Sequence, residues 1–307
     1  MSHSLEAEQY RTRPWGPYSW RIVPPASPIL TDEVVVFVHG YNVDRKSATS
    51  EYERLREDLR ELAGRDSRLT ILELFWPGYL SKGVAPDEQS VFSPATYPFH
   101  VRRVPAIGQG LASFLEPLRG LSGEPLRIVI VAHSLGCRLV LEALAQFTPN
   151  QRRRFSGMCL MAAAVPQHHL ADQLDRLRQA ATIPVKRVVL YSENDSILRR
   201  YFPGGQTLAG DGFFPEAVGL RGSPKDYWRG PNTETHDTGL DHGDYFRGAT
   251  ALSNGPSQSA AAIGGMLGYP AARRPPAHRM PASRPFEAPA PRVQHLVEHD
   301  IVRRTLR

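Results

Sequence analysis

The sequence predicts an α/β fold, a mostly parallel sheet with helices on both faces, and three observations carry the prediction. Apolar runs at residues 34–38, 69–76, 127–132, 157–165 and 185–191 have the length and composition of strands covered on both sides. Between them lie stretches whose apolar residues recur at helical spacing. Strands that alternate with helices are joined by crossovers, and crossovers leave neighbouring strands parallel.

In chain order, residues 1–30 are rich in Pro and aromatics and read as an extended lead-in with an edge strand at 19–23. Residues 34–38 form a strand that ends at His39-Gly40-Tyr41-Asn42, and a helix follows over 50–63 with Tyr52, Leu55, Leu59 and Leu62 on one stripe and Gly64 past its end. The strand at 69–76 closes at Pro77-Gly78, and a Pro-broken loop to residue 98 leads into a helix at 101–118. Next come the strand at 127–132, a sharp turn, and a helix carrying Leu139, Val140, Ala143, Leu144 and Phe147. A strand at 157–165, a helix at 168–181 with Leu170, Leu174 and Leu177 inward, and a strand at 185–191 complete the pattern. Periodicity then lapses for about thirty residues after Phe202, as expected of a long loop or lid. Order returns at 232–246. Residues 251–307 are Pro-, Ala- and Arg-rich and read as a flexible C-terminal tail, a linker with room for a terminal helix at 293–306. The domain expectation is therefore a lead-in at 1–30, one domain at 31–250 and a linker at 251–307.

Composition narrows the function classes. Of a formal net charge of +6, the last fifty-seven residues supply +5 through eight Arg against Glu287, Glu298 and Asp300. The basic balance thus belongs to the tail, which suits an acidic partner or anionic lipid, and does not point the main domain to nucleic acid. Cys137 and Cys159 sit in apolar patterns and read as buried free thiols, consistent with a reducing compartment. Glu6, Glu8, Arg11 and Arg13 stand where a secretory signal needs an apolar run, and no stretch reaches membrane-spanning length, so the expected location is cytoplasmic.

The chemistry is concentrated at Ala132-His133-Ser134-Leu135-Gly136. A serine on a strand-to-helix turn is held beyond the sheet edge, and small residues two before and two after it let strand and helix approach closely. The stretch resembles the nucleophile elbow of the α/β-hydrolase superfamily, with alanine in the first glycine position. With Phe37-Val38-His39-Gly40-Tyr41-Asn42 before it and His242-Gly243-Asp244-Tyr245-Phe246 after it, the chain over residues 30–247 is similar to bacterial α/β-hydrolases of unassigned substrate, related to esterases and lipases.

The resemblance implies an α/β-hydrolase fold and a serine hydrolase acting on an ester, thioester or related acyl bond. It implies the order Ser, acid, His: Ser134 as nucleophile, Asp195 sixty-one residues later as the acid, and His242 a further forty-seven on as the base. It also implies an oxyanion hole from the backbone N–H groups of Leu135 and Tyr41. Glu193 is the rival acid and His236 the rival base. His39 and His133 adjoin the site; in the resemblance such residues shape the turn or line the pocket rather than take the serine proton, and neither is assigned a role. Neither a cofactor nor a metal is expected, since the His236, Asp237, Asp241, His242, Asp244 group meets no known ligand spacing. The expected partner is a small acyl ester or lipid-like substrate, its apolar group met by Tyr79, Phe92, Tyr97, Phe99, Phe213, Phe214, Tyr227 and Trp228. Two alternatives use the same residues differently: a binding module with the hydrolase fold but no chemistry, and an acyltransferase.

Overall fold

In the computed structural model, which describes residues 2–11, 18–29, 31–64, 69–78, 96–224, 232–246 and 257–269, the chain opens with a hairpin. Strands β1 (Ser2–Arg11) and β2 (Tyr18–Val23) run antiparallel, with Glu6 opposite Val23. β3 (Glu33–Val38), α1 (Arg45–Ala63) and β4 (Ile71–Phe75) follow. β1 pairs parallel with β4, so the expected lead-in belongs to the central sheet, and only β2 lies at the edge. Leu5 is fully buried, and this one apolar residue among polar neighbours gave the sequence pattern too little to identify a strand.

The remaining elements alternate as expected. They are α2 (Tyr97–Leu115), β5 (Arg127–His133), α3 (Leu135–Leu144), β6 (Phe155–Met161), α4 (Gln167–Ala171), α5 (Arg176–Ala181) and β7 (Lys186–Tyr191). After them come α6 (Ser196–Arg200), α7 (Phe202–Ala209), α8 (Val218–Arg221), β8 (Thr233–Asp237) and α9 (Gln258–Leu267). Among the described residues eight strands form one sheet in the order β2-β1-β4-β3-β5-β6-β7-β8, parallel except at β2.

That order has a direct consequence for the site. From β3 the chain steps one way to β4, whereas from β5 onward it steps the other way, and right-handed crossovers then put α1 on one face and α2, α3 and α5 on the other. At the reversal the loops after β3 and β5 part and leave a crevice beyond the carboxyl ends of those two strands. Ser134 ends β5, and Gly40 and Tyr41 follow β3.

The core is built from the predicted runs. Residues 34–38 are buried throughout, as are Tyr52, Leu55, Leu59 and Leu62 of α1. Asp44 caps α1 by accepting from the Ser47 N–H at 2.7 Å, which starts the helix five residues earlier than its apolar stripe suggested. Cys137 and Cys159 are free and buried, and burial pushes both thiols up, so they are packing groups.

Further expectations are corrected. The helix at 168–181 is broken into α4 and α5, because Asp172 accepts from the Leu174 N–H and Asp175 caps α5 at Leu177; Leu174, expected inward, is 85% exposed. The loop or lid after Phe202 contains α7 and α8, whose Phe202, Gln206, Val218 and Leu220 are buried. Residues 257–269, expected in the linker, are ordered against the domain: α9 buries Ala260, Ile263 and Met266, and its Ser257 cap is itself held by Asp58 of α1. Arg154 is buried and donates to the carbonyls of Leu115, Glu116 and Leu118 at and just beyond the end of α2. Tyr79, Phe92, Tyr227, Trp228 and the helix expected at 293–306 lie outside the described residues. Among the described residues no helix is long and apolar enough to cross a membrane.

Candidate active site

Ser134 takes φ 53 and ψ −125, a left-handed conformation that costs an L-residue about 1–3 kcal/mol and is sustained only where neighbours over-determine it. Its N–H donates to the Met161 carbonyl at 2.9 Å, and its own carbonyl accepts from Ala164 and Cys137 at 3.1 Å. The turn is sharp because β3 crowds it from below. A Cβ on Gly136 would stand 2.4 Å from the His39 carbonyl oxygen, so only glycine lets α3 start this close to the loop after β3.

The side chains of the three residues expected from the sequence meet. Ser134 Oγ lies 2.9 Å from His242 Nε2, and His242 Nδ1 lies 2.7 Å from Asp195 Oδ2. A carboxylate can only accept, so Nδ1 carries the proton, and in the neutral ring Nε2 is left to accept from the serine hydroxyl. Asp195 is fully buried, and His242 is largely so. Asp195 caps α6 at the same time, its Oδ1 accepting from the Leu198 N–H at 2.8 Å. The rivals stand elsewhere: His236 is exposed on β8 beside Glu234, and Glu193 pairs with Arg221 at the surface.

His39 and His133 do more than shape turns. His133 Nε2 donates to the His242 carbonyl at 2.9 Å and so ties the His242 loop to the end of β5. Burial, helped by neighbouring His242, holds its pKa down to about 3, which keeps it neutral. His39 is lowered to about 4 by burial; its Nε2 accepts from the Trp76 N–H, and Trp76 Nε1 donates to the His39 carbonyl at 2.8 Å. The His39 N–H donates to the Tyr52 hydroxyl, which passes the bond to the Leu74 carbonyl. The Asn42 N–H donates to Gly78, so the loop that carries Tyr41 is fixed on both sides. Sequence offered only the histidines themselves as a signal, because their partners arrive from β4 and the His242 loop.

Gly40 is the closest approach of that loop to the serine. A Cβ there would lie 2.8 Å from Ser134 Cβ and 3.1 Å from His133 Nδ1. Gly40→Ala is expected to reduce hydrolytic kcat/KM by at least 100-fold, or about 2.7 kcal/mol, with a native circular dichroism spectrum. Unchanged kinetics would show that the loop can move away without consequence.

Behind α3 a largely buried ion network joins α3, α4 and α5 to Asp211, just after α7. Arg138 bridges Glu142 at 2.9 Å and Asp211 at 2.8 Å, and Arg176 also reaches Glu142. His169 lies between two carboxylates, Nδ1 2.5 Å from Asp175 and Nε2 2.8 Å from Asp211. Against desolvation, these acids raise the His169 pKa, and His169 with Arg138 holds Asp211 down to about 2. The His169 contribution to stability is therefore complete below pH 6.5 and fades as pH rises through its raised folded value. The Asp211 contribution is complete above pH 3.8 and fades as pH falls toward 2. Urea melts from about pH 5 to 9 are expected to show stability falling on the alkaline side. His169→Gln should cost about 1–3 kcal/mol near pH 6 and flatten that slope. A slope unaffected by the substitution would assign it to another group.

Among the described residues one group gathers three donors that could hold a metal, His168, His169 and Asp211, whose ligand atoms lie within 4.8 Å of one another. Both His169 nitrogens and both Asp211 oxygens are already engaged in the network. The His236 to Asp244 stretch does not converge in this way: Asp241 accepts from Ser196, and His242 faces Ser134.

Residues 28–200, more than half of the chain, match the family described as alpha/beta hydrolase of unknown function (DUF900). The chain belongs to this family. This α/β-hydrolase is similar to a protein of Agrobacterium vitis S4 provisionally named a hydrolase, at 12% identity and TM-score 0.40 over 86% of this chain and 98% of that one. It is also similar to a cold-adapted esterase from an Arctic intertidal metagenomic library, at 16% identity and TM-score 0.37 over 74% and 80% of the two chains. A third similarity is to a lipase-esterase related protein of Clostridium acetobutylicum ATCC 824, at 12% identity and TM-score 0.36 over 78% and 94%. No curated protein matches. The family description places this protein among hydrolases and names no substrate.

Proposed function

We propose that this α/β-hydrolase is a serine hydrolase that cleaves an ester, thioester or related acyl bond through an acyl-enzyme. The observation that carries the reading is the hydrogen-bond relay from Ser134 through His242 to Asp195, at 2.9 and 2.7 Å, on a strained turn at the crevice of the sheet. In this mechanism Ser134 Oγ attacks the acyl carbonyl while its proton passes to His242 Nε2. Asp195 fixes the tautomer and stabilises the imidazolium, which then protonates the leaving group. The backbone N–H groups of Leu135, at the start of α3, and Tyr41 receive the charge that builds on the carbonyl oxygen. Water repeats the sequence on the acyl-enzyme and restores Ser134.

A fluorophosphonate probe and a chain-length series of p-nitrophenyl esters test this together. Covalent labelling at Ser134 with turnover of short esters is the expected result. Labelling with an acyl product on a non-water acceptor would turn the reading toward acyl transfer. A folded protein that neither labels nor turns over would favour the binding module.

A further inference from the structure

The aromatics expected to line the acyl pocket divide in two. Tyr97 is buried, with its ring 5.3 Å from that of Tyr41 and its hydroxyl 2.8 Å from Gln206 Nε2 of α7. Phe99, Phe213 and Phe214 instead point into solvent, at 57%, 86% and 60% exposure, and Leu208 at 65% joins them. These residues are neighbours. Arg102 of α2 donates to the carbonyls of Leu208 and Ala209 at the end of α7, and Phe99 stands one turn before Arg102 on the same helix face. The Phe214 N–H donates to Thr207 Oγ1 at 2.8 Å, which folds the segment back on α7 and sets the two phenyl rings 5.0 Å apart.

Two properties separate this patch from ordinary exposed apolar residues. Phe214 holds φ 45, a conformation disfavoured for a bulky side chain, and spends that strain on displaying a ring that the core does not use. The patch also carries cations: Arg102 and Arg103 are exposed beside Phe99, while the acids that flank the two phenylalanines in sequence are paired, Asp211 with Arg138 and His169 and Glu216 with Arg221. Exposed apolar rings beside exposed arginines match the boundary of a bilayer with anionic headgroups, where rings enter the acyl region and guanidiniums meet phosphate. Beneath the patch, on the same two helices, Tyr97 of α2 and Gln206 of α7 are joined by a hydrogen bond, and the Tyr97 ring packs on Tyr41.

We propose that Phe99, Leu208, Phe213 and Phe214, with Arg102 and Arg103, form a docking surface for an anionic lipid bilayer on the α2 and α7 side of the fold. The proposal needs no chemistry at Ser134, so it is tested in both wild type and Ser134→Ala. The measurement is co-sedimentation of the full chain with vesicles of phosphatidylcholine alone and of phosphatidylcholine mixed with phosphatidylglycerol. Expected is binding to the mixed vesicles that weakens with salt, and a loss of at least roughly tenfold in Phe213→Ser/Phe214→Asn. Asn tolerates the left-handed conformation, so that variant should keep the wild-type melting temperature. Phe213→Trp should retain binding, and Arg102→Gln/Arg103→Gln should lose the preference for phosphatidylglycerol. Binding that is absent, or unchanged in the double phenylalanine variant while the eight tail arginines remain, would overturn the proposal. So would concentration-dependent self-association of wild type that the same double variant abolishes, since that would assign the patch to a second copy of the chain.

Discussion

Ser134→Ala is expected to lower kcat for a p-nitrophenyl ester by about 10³-fold or more and to abolish fluorophosphonate labelling, with no change in stability beyond about 1 kcal/mol. The thermal result separates this loss from unfolding, because removing one hydroxyl at a strained turn leaves the β5 to α3 packing intact. His242→Ala should cost as much. Combining it with Ser134→Ala should cost little more, since the two act as one unit and the residual rate comes from binding and the oxyanion donors. His236→Ala, at an exposed position on β8, should be nearly silent. If His236→Ala were inactive and His242→Ala active, the proposed base would be wrong despite its 2.9 Å approach to Ser134.

The second large effect concerns where the chain can be cut. A chain ending at Gly248 removes α9, and with it Ile263 and Met266 from the core. Burial of those two side chains is worth about 3–6 kcal/mol, against a net stability of about 5–15 kcal/mol for a domain. Removal would also free Asp58 and the Lys186 ammonium from their contacts with the Ser257 N–H and the Met266 carbonyl. The shortened protein is therefore expected to be insoluble or to unfold far below the full chain. A chain ending at Ala272 keeps α9 and its contacts, so it should melt and label like full length. Equal melting of all three would show that α9 contributes nothing.

The contrast between α9 and α1 shows what the sequence could and could not reveal. Tyr52, Leu55, Leu59 and Leu62 announce α1 because a long helix on a sheet face needs a wide apolar stripe. α9 lies against α1 and needs only small residues to approach it, so its Ala260, Gly264 and Ile263 sit in an Ala- and Gly-rich stretch that resembles a linker. β1 escaped for a related reason, since among alternating polar residues Leu5 alone is fully buried. In the candidate site the order and spacing of Ser134, Asp195 and His242 were legible because each follows a recognisable turn. The ties made by His133, His39 and Trp76, and the charge network around His169, come from elements far apart in the chain. No local pattern encodes them.

Asp195 carries two bonds at once, one to His242 and one to the first turn of α6. An acid at this position in a related sequence would therefore be a poor witness of activity. A descendant that abandoned the reaction would be released from any need for Ser134 or His242, yet loss of Asp195 would still unseat a helix start, at about 1 kcal/mol. Asparagine could replace it there without harm to the helix. Chains that keep aspartate or asparagine here but have lost the serine are thus the expected residue of decay, and loss of both cap residues with the serine kept should be rare. Inactive members of the family are better sorted by the serine and the histidine than by this carboxylate.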